Sequence, residues 1–499
     1  STLMRSSAAS DVYKRQVVLV LLWKNPFLLS YSGFVFSVMA VIAIGVGANV
    51  LLEWEHSWKR RQQAGEETIK KTFFSRQKEG ILVSFAIQLF TIPLVAYSYY
   101  EIPVYAMLIN LFVLAVVNGL LGLTVLGVIV GMAFLPAGRV LFAPCGWMLD
   151  SYRFLCEVSL KIPGAQRITG KPAHMRIFWY YLGLGVFLLA IYACARRNEK
   201  HKDCRETADL CVSRRKKRLQ GIVFSCFIAF LLLFLLFPQK KSFEIDFLDV
   251  GQGDGIYLCT GGGTSMFIDG GSTDVKQVGK YRILPFLKAK GVSEISYWFV
   301  SHTDTDHVSG LKEVLVSGYR VEYLVFAKAV EKEAKTKELA ELARSHGTKV
   351  LYMQAGDTVR SKRAAMRCLY PKASDKAEDI NDRCLVLQFE EGDISALFGG
   401  DISTDVEEQL LRRRKWDKVL VFKADHHGSR YANAEALLKC IRPEITVASA
   451  GKDNRYGHPS PDAVQRIKES GSRFFCTIEG GRIRVRVIEN KLVCETYVK

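Results

Sequence analysis

Long apolar stretches without a charged residue restrict the fold of the first half of this 499-residue chain more than any other feature. A helix needs about 20 predominantly apolar residues to cross a bilayer. The sequence therefore predicts membrane spans at residues 26–52, 81–99, 177–195 and 220–237. Val17–Trp23 is interpreted as the remnant of a further span.

The stretch 104–135 is also uncharged, but it is too long for one simple span. A single helix over it would be about 48 Å long at about 1.5 Å per residue. We therefore predict two short helices in a hairpin there. The mixed stretch 139–175 is expected to hold interfacial or re-entrant segments.

Two basic loops indicate the membrane topology. Loops 53–80 and 196–219 are rich in Lys and Arg, and such loops stay on the cytoplasmic side. The predicted spans between them are even in number, as this requires. The last span then crosses outward and places the following domain outside the cytoplasm. The run Arg214–Arg218 is interpreted as a topogenic signal rather than a DNA-binding patch.

The net charge of +18 does not by itself indicate a nucleic-acid partner. From residue 243 onward the chain has 39 Lys and Arg against 37 Asp and Glu, a net charge of +2, so +16 lies before it. Twelve cysteines are present, but none forms a CxxC pair, which argues against a zinc ribbon or a thioredoxin-type site. Gly251, Gly253 and Gly255 are attributed to turn geometry, because no helix is predicted to open there as a dinucleotide site requires.

The segment Ser301–His307, SHTDTDH, carries the strongest chemical signal. It follows an apolar β-like run, Tyr297–Val300, and places two imidazoles and two carboxylates within six residues. Such side chains are metal ligands, and a strand end is where a scaffold can hold them rigidly. The alternative, a solvated acidic loop, leaves the two histidines unexplained.

The segment resembles the H-x-H-x-D-H signature of the metallo-β-lactamase superfamily, with Asp304 where His is usual. That replacement is typical of the hydrolase domain of the ComEC/Rec2 competence proteins. Cys384 stands where Ser is commoner in the family. Further matching motifs are FLDVGQGD at 247–254, FIDGG at 267–271, NDRCLVL at 381–387, FGGDI at 398–402, DHHGS at 425–429 and YGHP at 456–459.

The resemblance also extends into the membrane half, through residues 25–34 (NPFLLSYSGF) and 88–94 (QLFTIPL). It implies a polytopic α-helical membrane region followed by an α/β metallo-β-lactamase-fold domain, an αββα sandwich. We expect a partial competence-type membrane domain at 17–240 and the hydrolase domain at 243–499. Residues 1–16 lack a signal-peptide pattern and are interpreted as a non-native or disordered leader of a chain that is truncated at its N-terminus.

The resemblance implies two divalent metal ions. One would be held by His302 and Asp304, and the other by Asp306 and His307. Asp401 would bridge them, since each carboxylate oxygen can serve one metal. His427 is the favoured last ligand, although His426 and His458 also qualify. Because Asp304 replaces an imidazole, the metal is expected to be manganese or zinc.

Other residues are expected to act around the metals. His426 or His458 would contact phosphate or protonate the leaving group, so that Asp306, His426 and His458 are the candidate catalytic residues. Asp269 would orient a metal ligand rather than bind metal. Ser429 and Arg430 would bind phosphate oxygens.

Two functions compete. In the first, the membrane region is a channel for single-stranded DNA, and the outer domain is a metal-dependent nuclease that degrades the other strand. Its partners would be DNA, membrane lipid, a DNA receptor and a cytoplasmic ATP-driven translocase. In the second, the protein is a membrane-anchored phosphodiesterase of a cell-envelope substrate. A decayed, non-catalytic domain is disfavoured by the full ligand set.

Overall fold

The computed structural model describes residues 16–62, 73–200, 208–238, 241–375, 379–489 and 491–497. The chain divides into two compact units, residues 1–238 and 239–499. The predicted leader lies outside the described residues except for Gln16. Parts of both basic loops, residues 63–72 and 201–207, also lie outside them.

Long helices form the described part of the first unit. They are α1 (16–24), α2 (Ser32–Ile42), α3 (Asn49–Gln62), α4 (Phe73–Tyr99), α5 (Ala106–Ala133), α6 (Leu135–Lys161), α7 (His174–Lys200) and α8 (Ala208–Leu235). A π-helical turn joins α2 to α3, and two short strands, β1 (Glu101–Pro103) and β2 (Gln166–Ile168), pair antiparallel.

Four stretches of the described helices are apolar and long enough to cross a membrane. They are Ser32–Trp58, Glu79–Tyr99, His174–Arg197 and Arg215–Leu235. Each overlaps one of the four spans predicted from hydropathy, so the prediction of a helical membrane region is confirmed.

The predicted hairpin within 104–135 is wrong, because one continuous helix, α5, occupies that stretch. The hairpin is formed instead by α5 and α6, and α6 covers much of the mixed stretch 139–175. A Cβ added at Gly138 would lie 2.5 Å from the Cα of Gly131 and 3.0 Å from the carbonyl oxygen of Gly127. Such close helix contacts through small residues are typical of membrane proteins.

Pro93 lies inside α4 and cannot donate a backbone hydrogen bond to Leu89. The Tyr180 hydroxyl, on α7, donates to that carbonyl at 2.9 Å. The neighbouring Tyr181 hydroxyl donates to the Phe90 carbonyl at 2.8 Å. Side chains of α7 therefore satisfy backbone groups of α4, as burial away from water requires.

Two mixed sheets form the second unit. One has eight strands in the order β17-β16-β3-β4-β5-β6-β7-β8, and the other has seven in the order β15-β14-β13-β12-β11-β10-β9. Their bounds are β3 (Glu244–Phe247), β4 (Gly255–Cys259), β5 (Ser265–Asp269), β6 (Glu294–Phe299), β7 (Arg320–Ala327), β8 (Lys349–Met353), β9 (Thr358–Ser361), β10 (Ala364–Tyr370), β11 (Val386–Glu391), β12 (Ile394–Phe398), β13 (Val421–Lys423), β14 (Ile445–Ala448), β15 (Arg473–Cys476), β16 (Arg482–Ile488) and β17 (Lys491–Tyr497).

Helices cover the outer face of each sheet. They are α9 (Leu284–Ala289), α10 (Thr305–Val316), α11 (Ala334–Ser345), α12 (Thr404–Arg413), α13 (Glu435–Ile441), α14 (Pro461–Glu469) and α15 (Thr477–Gly480).

Three buried apolar clusters define the layers of this unit. Successive side chains of a strand point to opposite faces, so Phe299 joins the cluster between the two sheets while Trp298 joins the one beneath α10 and α11. In the other sheet, Phe398 lies between the sheets and Phe422 packs toward α12 and α13. The order helix, sheet, sheet, helix is the predicted αββα sandwich, which is confirmed.

Candidate metal centre

The segment SHTDTDH spans the junction between a strand and a helix. Strand β6 ends at Phe299, and α10 begins at Thr305 with Asp304 as its N-cap residue. His302 therefore lies in the connecting loop, whereas Asp306 and His307 lie in the first helical turn. Strands β5 and β6 run parallel, so Asp269 at the end of β5 lies beside this junction. In α/β sheets, sites form at these carboxyl ends.

The second sheet contributes its residues in the same way. Strands β12 and β13 are parallel neighbours, and their carboxyl ends lead to Asp401 and to the turn Asp425–Gly428. His426 and His427 have φ values of 49° and 54°, a left-handed conformation that is uncommon outside glycine. Asn433 stabilises this turn, since its Oδ1 accepts from the Asp425 N–H and its Nδ2 donates to the Asp425 carbonyl. Strained backbone of this kind is concentrated at functional sites.

Asp401 is the centre of a buried His–Asp cluster. Its Oδ2 lies 3.4 Å from His307 Nε2 and 3.2 Å from His427 Nε2. Asp306 Oδ2 lies 3.7 Å from the same His427 nitrogen. The side chain of Asp401 is 6% exposed, so these charges interact with little screening by solvent.

The side chains of the cluster, and two of its buried nitrogen atoms that lack a hydrogen-bond partner in the described part of the chain, are those expected of a metal site. Candidate ligand atoms within 4.8 Å of one another come from Asp254, His307, Asp401 and His427, and a second group comes from His302, Asp306 and His307. The buried Nε2 atoms of His307 and His427 have no hydrogen-bond partner among the described residues. Because a buried polar atom without a partner is costly, these two nitrogens fit a bound cation.

The carboxylate of Asp401 favours protonation of the neighbouring imidazoles of His307 and His427. Burial disfavours protonation of His427, but Asp401 and Asp254 outweigh it and raise the pKa of this imidazole to about 9. Likewise, burial is outweighed at His307, where Asp401 and Asp269 raise the pKa well above its usual value. Burial and the neighbouring His307 instead lower the pKa of His302 to about 4.

Hydrogen bonds at Nδ1 orient the imidazole rings of His307 and His427. Asp269 Oδ2 lies 3.0 Å from His307 Nδ1 and accepts from the Ser301 hydroxyl at 2.8 Å. His427 Nδ1 lies 3.0 Å from the Ser449 carbonyl oxygen, which accepts its N–H. Both rings therefore present Nε2 to Asp401, and Asp269 makes the contact that an orienting role requires.

Cys384 lies next to the cluster, with its Sγ 3.4 Å from His302 Nδ1 and 3.4 Å from the Asp401 backbone nitrogen. Burial raises the pKa of this thiol well above its usual value. A neutral thiol can accept the Asp401 N–H, as the hydroxyl of the commoner Ser would. The Gly400 backbone, at φ 69°, passes so close that a Cβ would lie 2.9 Å from Ser301 Cβ.

Two charged residues of the cluster, Asp254 and Lys423, were not singled out by the sequence analysis. Lys423 Nζ lies 2.5 Å from Asp254 Oδ2, donates to the Gly400 carbonyl at 2.9 Å and lies 3.5 Å from Asp401 Oδ1. Burial opposes the charge of Lys423, but Asp254 and Asp401 raise its pKa above the usual value. The available signals were a lysine that ends an apolar strand two residues before DHHGS, and the final Asp of FLDVGQGD.

The remaining predicted residues lie at the edge of the cavity beside the cluster, or outside this cavity. Asp304 lines the cavity but pairs with Lys335 at 3.0 Å, and its side chain is 37% exposed. His426 Nε2 lies 4.0 Å from Asp401 Oδ2. Ser429 and Arg430 are not among the residues that line the cavity. The cavity has a volume of about 300 Å³ and is lined by Gln252, Thr273, His302, Asp304, Thr305, Asp306, Asn381, Asp401, His426, His427, Tyr456 and His458.

A family model described as "Competence protein" matches residues 15–193. "ComE operon protein 3" of Bacillus subtilis is 25% identical over 94% of this chain and 57% of its own length. "Recombination protein 2" of Haemophilus influenzae is 26% identical over 54% of this chain and 32% of its own, and "Competence protein ComA" of Neisseria gonorrhoeae is 28% identical over 50% and 32%. The chain thus spans about a third to somewhat more than half of these relatives.

Among solved structures, the metallo-β-lactamase fold protein YhfI from Bacillus subtilis has 10% identity and a TM-score of 0.32, over 47% of this chain and 96% of its own. A Zn²⁺-bound PqqB from Methylobacterium extorquens has 10% identity and a TM-score of 0.31, over 45% and 85%.

A helical membrane region followed by an αββα domain with a His–Asp cluster at its strand ends defines a membrane protein with a metallo-β-lactamase-fold domain. The sequence comparisons point to one group of proteins within this class. The chain is similar to the ComEC/Rec2 competence proteins, both through the family model over residues 15–193 and through these three relatives.

Proposed function

We propose that this chain acts in DNA uptake during natural transformation. The membrane helices form a channel for single-stranded DNA, and the second unit is a metal-dependent nuclease that degrades the non-transported strand. The buried cluster His307–Asp401–His427 carries the proposal, and two of its members, Asp401 and His427, line the cavity. Its chemistry suits phosphodiester hydrolysis, and the competence relatives point to DNA as the substrate.

The ligand roles follow from the positions of the side chains. Asp401 would bridge two divalent metals, manganese or zinc, with His302 and Asp304 on one and Asp306 and His307 on the other. His427 would complete the set. Asp304 pairs with Lys335 through Oδ1, and its Oδ2 lies 3.9 Å from His302 Nε2. Such metals supply a water that attacks phosphorus at neutral pH and charge that stabilises the developing oxyanion.

His426 and His458 line the cavity and would contact a phosphate oxygen there. Burial and the neighbouring His427 lower the pKa of His458 to about 4, and burial also lowers the pKa of His426. Both rings are therefore neutral at pH 7. A neutral imidazole can donate one N–H hydrogen bond to a phosphate oxygen, which we favour over delivery of a proton to the leaving group.

The hydrolase domain is proposed to lie outside the cytoplasm. The four helices α4 to α7 lie between the two basic loops, so both loops can be cytoplasmic if each helix crosses the membrane. Helix α8 would then lead outward. Protease added to intact cells should remove the second unit, and its protection in sealed cells would reverse this topology. The proposed partners are membrane lipid, a DNA receptor and a cytoplasmic ATP-driven translocase.

A second candidate function is a membrane-anchored phosphodiesterase acting on a cell-envelope substrate. The net charge of only +2 from residue 243 onward favours it, because DNA-binding domains usually carry a clear positive excess. The number of apolar helices favours DNA uptake instead, because a membrane anchor needs only one spanning helix.

The deciding experiment uses the full chain in detergent. Labelled single-stranded DNA and a choline phosphodiester are incubated with it in EDTA, in manganese and in zinc. We expect metal-dependent cleavage of DNA that is lost in Asp401→Ala and retained in Asp405→Ala, an exposed residue of α12. Cleavage of the choline ester alone would support the envelope enzyme, and no cleavage of either would reject both.

A further inference from the structure

Tyr456 is an aromatic side chain that lines the cavity without being part of the hydrophobic core. Its side chain is 50% exposed, and its neighbour in the cavity wall is His458. The two rings stack, with centroids 5.7 Å apart and planes inclined by 25°. This tyrosine lies beside a candidate phosphodiester site, and the open part of its surface can contact a ligand in the cavity.

The loop that carries Tyr456 is held in place independently of the tyrosine ring. Asn454 Nδ2 donates to the carbonyls of Gly451 and His458 at 2.8 and 2.6 Å. Its Oδ1 accepts from the backbone nitrogens of Tyr456 and His458 at 3.2 and 2.9 Å. One side chain therefore fixes both ends of the turn, so the ring is presented to the cavity at little cost in conformational entropy on binding.

Arg455 adds a positive charge beside the ring. Its guanidinium carbon lies 5.0 Å from the Tyr456 centroid, and Nη2 donates to the tyrosine hydroxyl at 2.8 Å. Arg455 is exposed, so it can move from the ring to an arriving phosphate. An aromatic face with an adjacent cation is how single-stranded nucleic acids are held without sequence preference.

The same charge argues against the other substrate class. Aromatic rings also bind quaternary ammonium groups such as choline, through cation–π attraction. Here the guanidinium of Arg455, 5.0 Å from the ring centroid, would repel a second cation. A nucleobase is uncharged, and its adjoining phosphate attracts the arginine, so both groups favour a nucleotide.

We propose that Tyr456 is the base-stacking residue of this site and that Arg455 binds the adjoining phosphate. This proposal rests on the proposed nuclease function and specifies its substrate. The base next to the scissile phosphate lies on the Tyr456 ring while the phosphate reaches the His–Asp cluster. A base can do so only when it is unpaired and unstacked from its neighbours, so the site selects single strands over duplexes.

The test uses the full chain in detergent with manganese. The substrates are oligonucleotides with one native phosphodiester among phosphorothioates, carrying either a base or an abasic sugar on each side of that linkage. We expect the wild type to cleave the complete substrate roughly ten to one hundred times faster than one of the abasic substrates, in line with the contribution of one stacked base. Tyr456→Ala should bring this ratio close to one, and Tyr456→Trp should preserve it.

Tyr281→Ala is the matched control, because Tyr281 is 62% exposed and lies beside Lys280 but does not line the cavity. It should keep the wild-type ratio. A wild-type ratio in Tyr456→Ala, or a ratio near one in the wild type, would overturn the stacking role.

Fluorescence anisotropy of the same oligonucleotides in EDTA separates this proposal from the nuclease itself. Base-dependent binding that is lost in Tyr456→Ala, without cleavage in any metal, would reject the nuclease and keep the stacking site. Cleavage that ignores the base would do the reverse.

Discussion

Lys423 Nζ lies 2.5 Å from Asp254 Oδ2, and both side chains are about 1% exposed. The ammonium thus lies among the carboxylates of the candidate metal centre. A fully buried ion pair contributes little net stability, but the loss of one partner leaves an uncompensated charge. The pair therefore makes the cluster sensitive to any change at Lys423.

Lys423→Met should destabilise the metal-free protein by roughly 3–5 kcal/mol, because Asp254 and Asp401 then lose their internal counter-charge. A bound divalent cation can replace part of that charge, so manganese should raise the melting temperature of the variant more than that of the wild type. Thermal melts with and without metal measure both effects. Lys418→Met, at an exposed position of the same segment, should match the wild type. Equal melting of all three metal-free proteins would contradict the prediction.

Asp401→Ala should abolish metal binding, because it removes the carboxylate that lies within 3.4 Å of both His307 and His427. Asp304→Ala should retain at least one metal, since Asp304 is at the rim and pairs with Lys335. Metal content after dialysis, measured by mass spectrometry, distinguishes the two variants. Full loss of metal in Asp304→Ala would instead show that Asp304 is an indispensable ligand.

Metal affinity should rise with pH up to about 9. A metal needs the unprotonated imidazole, whereas Asp401 and Asp254 overcome burial and raise the pKa of His427 to about 9. Below that pH each competing proton lowers the affinity about tenfold per pH unit, and binding releases protons. Calorimetry in buffers of different ionisation enthalpy measures both quantities. An affinity that is flat between pH 6 and 9 would contradict the raised pKa.

The same raised pKa predicts how the stability of the metal-free protein depends on pH. A histidine with a folded-state pKa of about 9 and an unfolded value near 6.5 stabilises the protein fully below about pH 6.5. This contribution is lost as the pH rises through about 9. The melting temperature of the metal-free protein should fall over that range, and His427→Gln should reduce the fall.

Gly138→Leu should separate α5 from α6, because even a Cβ at this position would lie 2.5 Å from Gly131 Cα. Thr124 Oγ1 lies 3.7 Å from Cys145 Sγ across the same pair of helices. A Thr124→Cys variant should therefore form a disulfide with Cys145 on oxidation, detectable by mass spectrometry, and Gly138→Leu should prevent it. Gly146→Leu is the control, since no atom lies within 4 Å of a Cβ added there.

Apolar stretches predicted the membrane helices, and the family resemblance named the layers of the second unit and most residues of the cluster. The motif residues lie together because each follows or adjoins a parallel strand end; they are His302, Asp306, His307, Asp401 and His427.

Long-range partners explain what the patterns could not predict. The burial of Lys423 depends on Asp254, far earlier in the chain, and Asp304 pairs with a lysine of α11. Likewise, α5 packs closely against α6 at Gly138, which lies outside the stretch 104–135 that was predicted to form a hairpin.

The backbone carbonyl that Pro93 leaves free in α4 is bound by Tyr180 of α7, and the next carbonyl is bound by Tyr181. Two hydrogen bonds therefore join the two helices one turn before Pro93. Movement of α7 away from α4 would break both bonds and leave the two hydroxyls without these partners. In the proposed channel, α4 and α7 are therefore expected to move together at this level.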